Sequence, residues 1–84
     1  MSIQEEVKDF LLTNPVYSGS LPETLSSDYP LIESGVLDSI GLFTLVVHLE
    51  KTFDVKIEVL DLIEKNFGNL QMIENFVESK TISS

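Results

Sequence analysis

Residues 15–38, PVYSGSLPETLSSDYPLIESGVLD, set the limits on what this chain can become. They hold all three prolines of the chain, two of its four glycines and five serines. Proline lacks a backbone donor and clashes inside a helix, so a regular helix cannot run through this stretch. A structureless connection of this length in a small domain is either functional or disordered. This one carries Val16, Tyr17, Leu21, Leu25, Tyr29, Leu31, Ile32, Val36 and Leu37. Such residues can pin a loop across a core. An ordered loop is expected, with a short helical turn around residues 22–27.

The flanking segments read as helices. In SIQEEVKDFLLTNP, Ser2 and Glu5 fit the S-x-x-E capping pattern, and Ile3, Val7, Phe10 and Leu11 recur at helical spacing. Asn14 precedes Pro15, which disfavours further helix, so the first helix spans about residues 2–13. A second helix is predicted over about residues 39–52, opened by Asp38 or Ser39, both good caps. FDVKIEVLDLIEKNFGN supplies a short extended piece and a short third helix near residues 59–65. Gly68 is a stop and Asn69 a cap. Leu70, Ile73, Phe76 and Val77 then give a fourth helix to about Glu78, with KTISS fraying. The predicted fold is all-α: a four-helix bundle, three main helices plus a short third, with a long ordered loop between helices one and two. Residues 1–84 make one domain.

With 14 acidic and 5 basic residues the net charge is −9. Nucleic acid is excluded as a ligand, because phosphate neutralisation needs clustered Lys and Arg. An acidic surface instead favours solubility and basic protein partners. There is no cysteine, hence no disulfide, thiolate metal site or thiol nucleophile. No secretory signal is visible, and no apolar run approaches the ~20 residues of a transmembrane segment. A cytoplasmic monomer is expected.

The second helix carries two apolar stripes. With Ser39 at 0° and about 100° per residue, Leu42, Leu45, Val46, Leu49 and Phe53 fall between about 240° and 340°. This is a core face. Ile40, Phe43 and Val47 fall between about 40° and 100°, with Glu50 at the edge near 20°. The second stripe is either covered by the long loop or exposed beside Ser39 for docking. Gly41, Thr44, His48 and Lys51 lie toward the remaining side. Ser39 lacks the base a hydrolase nucleophile needs. His48, the one histidine, lies about 180° around and about 13 Å along the helix. No G-x-S-x-G elbow, P-loop or metal-spaced His cluster is present. Scattered carboxylates read as a solvated face, with a weak divalent-cation site as the lesser alternative. What remains is a serine at a helix start, where free N–H groups and the positive dipole end suit a phosphate; otherwise Ser39 is an ordinary cap.

SGVLDSIGLFTLVVHLEKTFDVKI resembles the attachment site of acyl and peptidyl carrier proteins, and the likeness runs the length of the chain. It implies that Ser39 carries 4′-phosphopantetheine, taken from coenzyme A, with an acyl or aminoacyl group as a thioester on its thiol. It implies that Asp38 is the acid read by the phosphopantetheinyl transferase, and that Ile40, Phe43, Val47 and Glu50 bind partners. The partners implied are that transferase, an activating ligase and a downstream transferase or synthase of lipid or secondary-metabolite biosynthesis. No catalytic residue and no metal ligand is implied; a free-standing carrier is not an enzyme. Carriers of bulk fatty acid synthesis have several acids along helix two. Here Gly41 stands where one would be, and Glu50 is the only acid between Ser39 and Thr52. ESGVLDSIG looks more like D-alanyl or aminoacyl carriers and some dedicated polyketide or lipid carriers. In D-alanyl carriers an aromatic often precedes helix four, a place matched by Phe67. The cargo stays open among fatty acyl, polyketide, D-alanyl and other aminoacyl groups. The competing reading is an acidic helical adaptor without a prosthetic group, using the same stripe.

Overall fold

The structure is a computed structural model, and it describes residues 2–17, 19, 21, 22 and 24–82. Among the described residues there are four α-helices and no strand: α1 (Ile3–Thr13), α2 (Ser39–Phe53), α3 (Glu64–Phe67) and α4 (Leu70–Ile82). Two 3₁₀ turns, Pro15–Tyr17 and Val59–Asp61, complete the regular elements. This is the all-α bundle expected, with three main helices and one of a single turn. α4 packs against α1, α2 and α3.

Local chemistry sets the ends of the helices. The Ser2 hydroxyl accepts the Glu5 amide at 3.1 Å, satisfying an otherwise orphaned donor at the start of α1. Asn14 closes α1 by donating its N–H to the Phe10 carbonyl, and Pro15 follows. Asp54 ends α2 in the left-handed region, at φ 54°. The Asn69 side chain accepts the Met72 amide at 2.8 Å and so caps α4, as its position in the sequence suggests.

The core draws on every long element. Val7 and Leu11 enter from α1, Leu45, Val46 and Leu49 from α2, and Leu70, Ile73, Phe76 and Val77 from α4. Phe67 fills the space at α3, its ring 5.3 Å from that of Phe76. The long loop is part of this core: Tyr17, Leu25, Leu31, Val36 and Leu37 are buried, and Leu21, Tyr29 and Ile32 pack against them. Val16 departs from the expectation and is exposed. The loop is also stitched by backbone to the α3–α4 junction, through Leu31 N–H to Gly68 C=O at 2.8 Å and Gln71 N–H to Ser27 C=O at 3.1 Å.

Three local expectations need correction. The helical turn placed at residues 22–27 does not form among the described residues there; Glu23 lies outside them. The short helical turn comes earlier, at Pro15–Tyr17, where the Asn14 side chain accepts the Val16 amide at 2.9 Å. The third helix is split into the Val59–Asp61 turn and α3, because the Asp61 carboxylate takes the Glu58 amide at 2.9 Å and closes a tight turn first. Helix four runs to Ile82 rather than Glu78, and its last turn is anchored by a 3.1 Å ion pair between Lys80 and Asp61. Ser83 and Ser84, the end of the tail expected to fray, lie outside the described residues.

Candidate functional site

The approach to α2 is a buried plug followed by an exposed step. Gly35 has φ 89°, a conformation glycine adopts without steric cost, and it turns the chain into Val36 and Leu37, both buried. Asp38, Ser39 and Ile40 then emerge into solvent. Asp38 is extended, and its Oδ1 accepts the Gly41 amide at 2.8 Å. Of the two candidate caps, Asp38 therefore does the capping, and Ser39 is the first residue of the helix proper. Among the described residues, no hydrogen bond engages the Ser39 hydroxyl. The first helical bond of α2 runs from the Leu42 N–H to the Asp38 carbonyl at 2.8 Å. Ser39 thus presents a free hydroxyl at the positive end of a 15-residue helix.

Beneath this turn lies Tyr17, fully buried. Its hydroxyl donates to the Gly41 carbonyl at 2.5 Å. Burial first, and the nearby Asp38 charge second, push the Tyr17 pKa from 10.0 to about 12. A Cβ on Gly41 would meet the Val36 carbonyl at 2.8 Å and the Tyr17 ring at 3.0 Å. Gly41, set by pattern toward the polar side of the helix, is in fact buried under the loop.

The two stripes of α2 have opposite fates. Leu45, Val46 and Leu49 are core, with Leu42 and Phe53 packed against it. Ile40 and Phe43 are 70% and 66% exposed, and Val47 is also exposed. The loop does not cover them. Glu50, at the end of this stripe, is half-buried and its carboxylate accepts the Ile57 amide at 3.0 Å. Two residues further on, a span of at most about 7 Å, begin Val59 and Leu60, which are 82% and 88% exposed. Sequence reasoning missed this pair by placing it inside a helix. Its signal was the carboxylate pair Glu58 and Asp61 flanking it, which marks a turn. The Glu58 N–H, and then the Lys80 ammonium, hold the Asp61 carboxyl below its usual range.

His48 is far from this chemistry in role as well as direction. Its ring stacks on Phe10, with centroids 3.9 Å apart, and its Nε2 lies 3.1 Å from Glu6 Oε2. It clasps α2 to α1 at the boundary of the core. Among the described residues, no three His, Cys, Asp or Glu side chains are grouped to hold a metal ion, and no helix is long and apolar enough to cross a membrane.

Residues 19–77 match the family model described as a phosphopantetheine attachment site. The chain is 32% identical over 78 residues to the D-alanyl carrier protein of Streptococcus pyogenes serotype M5 (strain Manfredo), covering 93% of this chain and 94% of that protein. The D-alanyl carrier protein of Streptococcus pyogenes serotype M1 matches to the same extent.

Proposed function

The chain belongs to the phosphopantetheine carrier protein family, and on that premise we propose that it holds an acyl or aminoacyl group as a thioester on 4′-phosphopantetheine joined to Ser39. Members of this family carry the prosthetic group and are carriers rather than enzymes. The observation that carries the assignment to Ser39 is the division of labour at the start of α2. Asp38 satisfies the Gly41 amide, so the Ser39 hydroxyl is exposed and uncommitted.

The residues fit a phosphodiester. The oxygen has room, and although the Gly41 amide is taken by Asp38, the positive end of the α2 dipole favours a phosphate at this place. In the loading reaction the Ser39 oxygen attacks the phosphorus that bears pantetheine in coenzyme A. The bond from that phosphorus to the adenosine bisphosphate breaks, and the serine proton passes to a base of the transferase. This chain contributes the oxygen and its position only.

Ile40, Phe43 and Val47 form the docking stripe beside the arm, extended by Val59 and Leu60. Apolar side chains exposed together as a contiguous patch on a folded surface mark a contact site, whereas single ones do not. A flexible arm then gives its cargo a high effective concentration at each docked active site. The names of the relatives make a D-alanyl or other aminoacyl cargo the first to test.

The test is intact mass after incubation with coenzyme A, Mg²⁺ and a broad-specificity phosphopantetheinyl transferase. A gain of one phosphopantetheine, mapped to Ser39 and lost in Ser39→Ala, is expected. No gain on folded protein would leave an adaptor that docks through the same stripe without a prosthetic group.

A further inference from the structure

Gly41 is held from three sides at once. Its N–H is bonded to Asp38 at 2.8 Å, its carbonyl takes the Tyr17 hydroxyl, and the space its missing Cβ would occupy is closed by the Val36 carbonyl at 2.8 Å. Tyr17 comes from the far end of the loop, 24 residues before Gly41. Its ring is itself fixed, edge-on to Phe10 at 5.9 Å, and Phe10 stacks on His48 further along α2. The first turn of a helix ordinarily frays, because its donors lack intrahelical partners. Here it is tied by a buried phenol to a rigid part of the core.

We infer that Tyr17 is a positioning residue for arm attachment: through its hydroxyl on the Gly41 carbonyl it fixes the turn that presents the Ser39 oxygen to the transferase. This rests on Ser39 being the attachment residue. Transfer to a hydroxyl needs the oxygen in a narrow range of positions and angles. A turn that samples several orientations presents that geometry for only part of the time, whereas Phe43 and Val47, one and two turns further along α2, are unaffected. The same contacts account for glycine at 41: any side chain there would push the turn off both Tyr17 and Val36.

The experiment is steady-state loading from coenzyme A on wild type, Tyr17→Phe and Gly41→Ala, with melting curves for each. Tyr17→Phe keeps the ring and removes only the oxygen. The expected result is a kcat about fivefold lower, the scale of one lost hydrogen bond, with KM unchanged and a cooperative melt retained. Gly41→Ala should also lower kcat, although alanine is the better helix former. A purely structural role would lower the melting temperature and leave kcat at 20 °C alone. Wild-type rates in both folded variants would overturn the inference, as would a Tyr17→Phe chain that no longer melts cooperatively, since the hydroxyl would then hold the whole bundle. Failure of wild type itself to load would count against Ser39 as the attachment residue, a separate outcome.

Discussion

The Glu50 carboxylate accepts the backbone N–H of Ile57 at 3.0 Å, joining the end of the exposed α2 stripe to the segment that leads into Val59 and Leu60. A glutamate in this place can act on a partner through its charge, or on its own chain as a clasp. The two roles separate by substitution. Glu50→Gln keeps an acceptor for Ile57 and loses the charge; Glu50→Ala loses both. Clasping predicts that Glu50→Ala lowers stability by about 1 kcal/mol and slows cargo transfer, while Glu50→Gln stays near wild type in both. Equal loss of transfer in the two variants, with salt sensitivity abolished, would make Glu50 a charge read by the partner. Thermal melts and transfer rates at two ionic strengths decide between them.

Asp38 is the cap of α2, and its removal should be felt there. Asp38→Ala is expected to cost about 1 kcal/mol, which lowers the melting temperature by about 4–8 °C in a domain of this size. Asp38→Asn retains the acceptor and should recover most of the loss. If Ser39 took over the cap in Asp38→Ala, the Gly41 amide would stay protected from hydrogen exchange and the drop would be small. The same variant would then load poorly, because the attacking oxygen had been committed.

The exposed stripe predicts a split between binding and folding. Phe43→Asp and Val47→Asp should reduce transfer by about tenfold or more, as truncation of buried interface anchors does, with circular dichroism unchanged. Leu60→Asp tests whether the turn after α2 belongs to the same surface. A transfer defect as large as that of Phe43→Asp would include it, and no defect would confine docking to α2. A loss of helicity matching the loss of transfer would instead put Phe43 or Val47 in the core.

Much of this arrangement was legible in the chain. α1, α2 and α4 follow from apolar spacing and from Ser2, Asp38 and Asn69 as caps, since these signals act within a few residues. The second stripe was legible as Ile40, Phe43 and Val47, but periodicity alone does not say whether a loop covers it. That depends on where Tyr17, Leu25 and Leu31 insert, and they insert elsewhere. The attachment of Tyr17 to Gly41 was not legible, because it joins residues 24 apart through a backbone carbonyl, which carries no residue identity. The last turn of α4 was missed for a similar reason: Lys80 is held by Asp61, from another element. The break at Leu62 was hidden because Val59, Leu60, Leu62 and Ile63 suit a helix as well as a turn.

The buried Tyr17 phenol also predicts a pH dependence. Its pKa is pushed up to about 12, by burial and then by the Asp38 charge, whereas an unfolded tyrosine titrates near 10. The folded state therefore holds the phenolic proton more tightly. The stabilisation is fully present below pH ~10 and is lost as the pH rises toward ~12, a change of about 2–3 kcal/mol in all. The measurement is a difference, so that only the Tyr17 hydroxyl distinguishes the two chains. Urea midpoints of wild type and Tyr17→Phe are compared from pH 9 to 11.5, where the common groups cancel. Wild type should lose ground to Tyr17→Phe steadily above pH 10. A gap that stays constant across this range would mean that the phenolate is tolerated where it is, and that the tie between Tyr17 and Gly41 opens without cost to the fold.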